Sequence, residues 1–75
     1  MIGGVPADLL SALGNRIRQR RTRAGWTQVQ LAERIGIDRS FLADVERGKR
    51  NISILNLDLI AKGLKVSLSE LLRRL

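Results

Sequence analysis

Four helix-start signals of one kind recur along the chain, and no other feature of the sequence constrains its fold as strongly. Each signal is a residue suited to the N-cap of a helix, with an apolar residue directly before it and a leucine four residues after it. Contact between these two apolar residues is the hydrophobic staple, which fixes the direction in which the chain enters a helix. The N-cap residues are Thr27, Asp38, Ser53 and Ser67. The pattern predicts four helices that begin just after these residues.

A longer helix is predicted before the first of these signals. Pro6 suits a first helical turn, and Gly25 is suited to end the helix. Between them Leu10, Leu13 and Ile17 recur at helical spacing. The predicted helices span residues 7–24, 28–35, 39–46, 54–63 and 68–74. Because no stretch alternates with the period of a strand, residues 1–75 are predicted to form one all-α domain, a compact five-helix bundle.

The residue types that the chain lacks exclude several classes of site. Cysteine is absent, which excludes disulfides and thiolate metal sites, and so is histidine, the commonest metal ligand and general base. We therefore expect no catalytic residue, no metal and no cofactor, and a protein that is not an enzyme. No apolar run approaches the roughly 20 residues that cross a bilayer. Residues 1–6 also lack the features of a secretory signal, so we expect a cytoplasmic protein without a membrane partner.

The positive charge is concentrated in the middle of the chain. The formal net charge is +7, from 14 lysine and arginine residues against 7 aspartate and glutamate residues. Between positions 15 and 50, ten basic and four acidic residues supply a net charge of +6. Such a stretch is typical of a protein whose partner is a polyanion such as nucleic acid, although a solvated helix surface is the alternative.

The segment 28–46 has the pattern of two helices joined by a tight turn. Gly36 can end the first helix in the left-handed conformation, and Ala32 is small where two crossing helices approach closely. The second helix is predicted to project as a ridge, which is the form of a DNA-reading helix-turn-helix.

Short strings along most of the chain carry a family resemblance. They are Arg16-Ile17-Arg18 with Arg21, Gly25-Trp26-Thr27-Gln28, Gln30-Leu31-Ala32-Glu33, Val45-Glu46-Arg47-Gly48-Lys49-Arg50-Asn51, Ile60-Ala61-Lys62-Gly63-Leu64 and Ser67-Leu68-Ser69-Glu70-Leu71-Leu72. With them, residues 15–72 resemble the Xre/Cro-type helix-turn-helix family of phage repressors and bacterial regulators. Asp38-Arg39-Ser40-Phe41 and the string from 46 to 53 are most similar to restriction–modification controller proteins. The chain departs from the family at Ile52, where proline is frequent, and at Lys65, where glycine is frequent.

Three residues of the second helix are predicted to reach DNA bases. Arg39 and Ser40 lie in its first turn, where recognition helices contact base edges, and an arginine can bind guanine O6 and N7 in a bidentate manner. Asp44 lies one turn further on the same face, where it would accept from cytosine N4 or instead orient Arg47 or Ser40. For Arg39, a phosphate contact or a free surface side chain is the alternative.

A second set is predicted to contact the DNA backbone. The set consists of Gln28, Phe41, Arg47, Lys49, Arg50 and Asn51. The resemblance implies that Gln28 binds a phosphate and that Phe41 lies near the DNA backbone. Their alternatives are a helix-start residue and a partly buried packing residue. Lys49, Arg50 and Asn51 follow the recognition helix, where phosphate contacts set register but carry little sequence information.

Two charged residues and a tryptophan are assigned to structure. The resemblance pairs Arg21 with Glu46 in a partly buried salt bridge between the first and third helices. Arg21 also interrupts an apolar stripe, which independently argues for a buried partner because an unpaired buried charge is costly. Trp26 is expected in the core, as the staple partner of Leu31.

The C-terminal helix carries more apolar residues than so small a domain can bury. Leu64 and Leu71 are expected to face inward, and Leu68, Leu72 and Leu75 are expected to form part of a two-fold homodimer interface. The alternative is that all of them cap the core. A two-fold dimer would set its recognition helices about 34 Å apart, which matches a palindrome with half-sites one helical turn apart.

These features predict a homodimeric regulator of transcription that binds double-stranded DNA at a palindromic operator. The resemblance to controller proteins implies control of a restriction–modification operon that includes its own gene, with RNA polymerase at the promoter as a further partner. The alternatives within the same class are a phage-type repressor and an antitoxin-like autoregulator. A protein-interaction module is the alternative outside it.

Overall fold

The computed structural model describes residues 7–75, which form five α-helices and no strand. The helices are α1 (Ala7–Arg23), α2 (Gln28–Ile35), α3 (Arg39–Glu46), α4 (Ile54–Leu64) and α5 (Leu68–Leu72). The predicted fold class, an all-α five-helix bundle, is confirmed. The interpretation of Pro6 as a helix-start residue lies outside the described residues.

All four predicted N-caps are present, and the interactions that define them are local. Thr27 Oγ1 accepts from the Gln30 backbone N–H at 3.1 Å, and the Gln30 side chain accepts from the Thr27 N–H at 2.9 Å, which completes the capping box. Ser67 and Glu70 form the same box with two bonds of 3.0 Å. Asp38 and Ser53 each accept one backbone N–H from within the first helical turn.

Two helices end at a residue in the left-handed conformation, and a third ends where a distant residue binds its carbonyl oxygens. Gly36 ends α2 in the left-handed conformation at a φ of 75°, and Lys65 ends α4 at a φ of 60°. We predicted that α5 extends to about residue 74, whereas the helix ends at Leu72. Arg16 of α1 donates to the carbonyl oxygens of Glu70 and Leu71, both at 3.2 Å. A longer α5 would offer these two carbonyls to its own backbone N–H groups.

The core lies where the five helices meet, and every helix contributes one completely buried side chain. These residues are Ile17, Leu31, Leu42, Ile60 and Leu71. Three of them are leucines of the predicted staples, so the same residue that fixes a helix start also anchors that helix in the core. Trp26 is only half-buried at the edge of this core, where the Arg34 guanidinium lies 5.0 Å from the centre of its ring.

Glycine allows α1 and α3 to touch through their backbones. A Cβ atom on Gly14, in the middle of α1, would lie 2.3 Å from the carbonyl oxygen of Val45 and 2.5 Å from that of Glu46. Just beyond α3, a Cβ atom on Gly48 would lie 2.8 Å from the Ser11 Cα. These two contacts hold the C-terminal end of α3 directly on α1, and with it the direction in which α3 projects.

Candidate nucleic-acid interface

One face of α3 is turned to solvent because the opposite face fills the core. Leu42, Ala43, Val45 and Glu46 are buried. The residues left on the outer side are Arg39, Ser40, Asp44 and Arg47. The structure thus brings the predicted base-reading residues together on one exposed ridge.

The residues of this ridge differ in the partners they already have. Within residues 7–75 the Arg39 guanidinium makes no hydrogen bond or ion pair, so its donors are available to a ligand. Asp44 instead accepts from the Arg47 guanidinium in an exposed ion pair. Asp44 was predicted to accept from cytosine N4 or to orient Arg47 or Ser40, and the pairing with Arg47 is the arrangement found in the free protein. Ser40 uses its backbone N–H in the Asp38 cap and leaves its exposed hydroxyl free of that bond.

A basic loop follows α3 and folds back onto it. Gly48 turns the chain at a φ of 71°, and the Lys49 backbone N–H donates to the Asp44 carbonyl oxygen at 2.9 Å. Lys49 and Arg50 are exposed, and the Arg50 guanidinium lies 5.1 Å from the centre of the Phe41 ring. At that distance the aromatic face attracts the cation. Phe41 therefore holds Arg50 beside the first turn of α3, a contact that sequence reasoning did not foresee.

Asn51 lies at the end of this loop, beside an apolar groove. The groove is lined by Leu9, Leu10, Leu13, Asn51, Ile52, Leu57, Leu72 and Leu75. The side chain of Asn51 is exposed, so the structure places it between the basic loop and the apolar groove.

A buried ion pair ties α3 to α1. The Glu46 carboxylate accepts from Arg21 Nε at 2.6 Å and from Arg21 Nη2 at 2.9 Å, and the two residues are each 8% exposed. Arg21 Nη1 donates to the Trp26 carbonyl oxygen at 2.8 Å. All three donor atoms of this guanidinium are thus used, which is what keeps a buried charge from being costly.

Gln28 completes this cluster in a way that sequence reasoning missed. Its Nε2 atom donates to Glu46 Oε1 at 2.9 Å, so the first residue of α2 is held by the last residue of α3. Half-burial of Gln28 agrees with this contact. No local pattern in the sequence shows this bond, because the two residues are 18 positions apart.

The predicted dimer residues are not equally exposed. Leu72 is 38% exposed and Leu75 is 37% exposed, and both line the apolar groove. Leu68 is half-buried and packs against the core, so less of its side chain is available to a second copy. Leu64 and Leu71 are buried, as expected.

A second apolar surface on α4 was not predicted. Leu55 is 76% exposed and Ile54 is 61% exposed, although both are large apolar side chains at the start of the helix. Leu59 is exposed as well. The signal was present in the sequence, because the apolar residues of 54–60 cover more than the single face that a core-packing helix needs.

One carboxylate away from α3 has a clearly shifted pKa. The backbone N–H and the hydroxyl of Ser67 donate to Glu70 and lower the pKa of its carboxyl, and the charges of Arg20 and Arg73 act in the same direction. This shift belongs to the cap of α5.

The described residues contain neither a membrane span nor a metal centre. No helix within residues 7–75 is long and apolar enough to cross a bilayer. The same residues hold no cluster of three or more side chains that could bind a metal ion.

Comparison with known proteins places this geometry in a family. A helix-turn-helix family model matches residues 17–71. The chain belongs to the Xre-type helix-turn-helix family. It is similar to the control protein C.MunI of Mycoplasma sp, at 37% identity over 65 residues that cover 85% of this chain and 88% of the relative.

Solved structures show the same similarity. The restriction–modification controller protein C.AhdI from Aeromonas hydrophila has a TM-score of 0.83 and 42% identity, over 88% of this chain and 98% of that one. The controller protein C.Esp1396I, solved as a tetramer in complex with its natural 35 base-pair operator, has a TM-score of 0.78 and 40% identity, over 85% of this chain and 88% of that one. The protein is thus a DNA-binding transcriptional regulator related to restriction–modification controller proteins.

Proposed function

We propose that the protein binds a palindromic operator as a homodimer and regulates a restriction–modification operon that includes its own gene. The observation that carries this proposal is the exposed ridge of α3, headed by an Arg39 guanidinium without a protein partner among residues 7–75. Arginine at the start of a recognition helix is suited to a bidentate contact with guanine O6 and N7.

Some residues of the ridge contact bases, and others position the ridge on the DNA backbone. Arg39 reads a guanine, and the Ser40 hydroxyl donates or accepts at a neighbouring base. Asp44 either accepts from cytosine N4 or keeps Arg47 directed at the backbone through the ion pair described above. In the free protein the ion pair occupies one oxygen of Asp44, and the other oxygen remains to accept from cytosine N4.

Contacts to phosphates set the register of α3 on the duplex. Lys49, Arg50 and Asn51 follow the helix, and Gln28 begins α2 on the side of the Glu46 cluster. Phosphate contacts from such residues position the protein without reading sequence. The stack of Arg50 on Phe41 reduces the freedom that this side chain loses on binding, which favours association.

The apolar groove and the end of α5 form the proposed dimer interface. Leu72 and Leu75 are partly exposed beside Leu9, and Leu68 adds the remainder of its side chain. A two-fold axis through this surface would present two α3 ridges to successive major grooves, about 34 Å apart. The operator-bound assembly of C.Esp1396I supports binding by more than one copy.

Control of a restriction–modification operon is supported by the relatives, several of which are control proteins. Activation and repression differ in where the operator lies relative to the site bound by RNA polymerase. We propose that RNA polymerase at that promoter is a partner of the protein in addition to DNA.

The test is fluorescence anisotropy with the duplex upstream of the protein's own gene, a scrambled duplex, and a salt series. Affinity at least ~10³-fold tighter for the native duplex supports the proposal. Equal binding to both, with a steep salt dependence, contradicts autoregulation.

A selection from random duplexes, run with the parent and with Arg39→Ala, tests base reading separately. The parent should enrich a palindrome, and the variant should lose preference at one base pair of each half-site. Unchanged preference at every position would remove Arg39 from the base contacts.

A further inference from the structure

The carboxylate of Glu46 has a neighbour that the ion pair does not explain. Its Oε1 atom accepts from Gln28 Nε2 at 2.9 Å as well as from Arg21. We infer that Glu46 is a positioning residue for DNA binding, which holds the Gln28 amide so that its second N–H is directed at a DNA phosphate. This inference rests on the proposed function. Glu46 itself is buried, so it acts through Gln28 and makes no DNA contact.

The charge of Glu46 decides which way round the amide lies. Both carboxylate oxygens of Glu46 accept N–H bonds from Arg21, so Gln28 must present its nitrogen, which is a donor, to Glu46. The amide nitrogen carries two hydrogens, and among residues 7–75 it makes this one hydrogen bond. One N–H therefore remains to donate. A phosphate oxygen only accepts, so the free N–H suits a phosphate that lies on its side, where a turned amide would place an oxygen that cannot donate.

The cluster also orders the side chain before DNA arrives. Glutamine has several rotatable bonds, and fixing them at the moment of binding weakens association. Here Arg21 is held by the Trp26 carbonyl, Glu46 by Arg21, and Gln28 by Glu46, with no bond in this series longer than 2.9 Å. The series connects α1 and α3 to the first residue of α2.

A double-mutant cycle in DNA affinity tests the inference. One background is the parent, and the other carries Arg21→Met with Glu46→Met, which removes both charges together and leaves neither buried and unpaired. In the parent, Gln28→Ala should weaken operator binding about tenfold, the loss expected for a hydrogen bond to a charged group. In the apolar background it should weaken binding by less than about twofold, because the amide is no longer held.

Two features separate this result from a general loss of stability. Gln28 is uncharged, so its replacement should leave the slope of affinity against salt unchanged. Gln19→Ala is the matched control, because Gln19 is an exposed glutamine of α1, and it should alter affinity in neither background. An equal loss from Gln28→Ala in both backgrounds would make Glu46 a purely structural residue and overturn the inference.

A measurement on the unmodified protein keeps the inference testable if the apolar background does not fold. The side-chain amide of Gln28 should be rigid without DNA, with an NMR order parameter near that of ordered backbone, about 0.85. A value below about 0.6 would show a freely moving amide and refute positioning.

Failure of the inference is distinguishable from failure of the proposed function. If the parent binds its operator specifically and Gln28→Ala binds equally well, the inference is wrong and the regulator remains. If the parent shows no specific duplex binding, the proposed function fails first, and the inference fails with it.

Discussion

Replacement of Gly14 by alanine tests whether the backbone of α1 sets the position of α3. Alanine is ordinarily favoured over glycine inside a helix by about 1 kcal/mol. Here the added Cβ would lie 2.3 Å from the Val45 carbonyl oxygen and 2.5 Å from that of Glu46, whereas Cβ atoms are essentially never found closer than 3.0 Å to such neighbours. Both neighbours are backbone atoms, so no side-chain rotation relieves the overlap.

The size of the effect follows from this geometry. The end of α3 must move by about 0.7 Å, the difference between 3.0 and 2.3 Å, and overpacking of this kind costs about 1–3 kcal/mol. The same movement carries Glu46 away from Arg21, and disruption of a buried pair adds to the loss. After the helix-propensity gain is subtracted, we expect a net loss of about 2 kcal/mol, which lowers the Tm of a domain this size by roughly 10 °C.

Urea and thermal unfolding followed by circular dichroism measure this loss. Gly25→Ala is the control, because Gly25 has a φ of 84° and nothing within 4 Å of an added Cβ. Its cost should come from backbone strain alone, about 1 kcal/mol. If Gly14→Ala were as stable as the parent, α1 and α3 would not be in backbone contact, and Gly14 would not set the position of α3. The folded fraction of Gly14→Ala should also bind operator more weakly, since α3 is displaced.

Four further predictions concern single residues. Arg50→Ala should weaken binding to all duplexes similarly and lower the salt slope by about one unit in an anisotropy titration, and an unchanged slope would exclude a phosphate contact. Leu72→Asp should give a folded monomer in sedimentation, because Leu72 is 38% exposed in the single chain and a charge there would oppose the proposed dimer contact. A persistent dimer would place the interface elsewhere. Lys65→Gly should raise the free energy of unfolding by about 0.5 kcal/mol, because relief of the strain at a φ of 60° is partly offset by the greater freedom of glycine in the unfolded chain; a loss in urea unfolding would contradict this. Glu70 has a lowered pKa in the folded protein, so its stabilising effect is present above its unfolded pKa, near 4.3, and disappears as the pH falls through the lower folded value. Thermal unfolding between about pH 2 and 6 should therefore show the parent losing stability relative to Glu70→Gln on acidification, and a constant difference would count against the capping role of the carboxylate.

The exposed surface of the candidate site was predictable from the sequence, but only some of the contacts between its residues were. The N-cap at Asp38 and helical spacing are sufficient to place Arg39, Ser40 and Asp44 on one side of α3, because both depend on a few consecutive residues. Pairing of Asp44 with Arg47 was one of the alternatives, and the sequence did not decide between them. Arg39 is free within residues 7–75 and Asp44 is paired with Arg47, although the two were assigned the same kind of role.

The helix starts were determined by the sequence alone. An N-cap such as Thr27 and its staple from Trp26 to Leu31 lie within six consecutive residues, so their energies depend little on the rest of the fold. The left-handed conformation of Lys65 at the end of α4 agrees with the glycine that is frequent in the family at this position.

Tertiary structure decided those contacts between distant residues that neither a local pattern nor the family resemblance indicates. α5 ends at Leu72 where Arg16, more than 50 positions earlier, binds its last carbonyls. The bond from Gln28 to Glu46 joins α2 to the end of α3, and Gly14 lets the same end of α3 rest on the backbone of α1. Local signals specify where a helix begins because the interacting groups are held close by the chain itself. The residues that a helix contacts in the folded protein are set by packing in three dimensions, which no short stretch of sequence encodes.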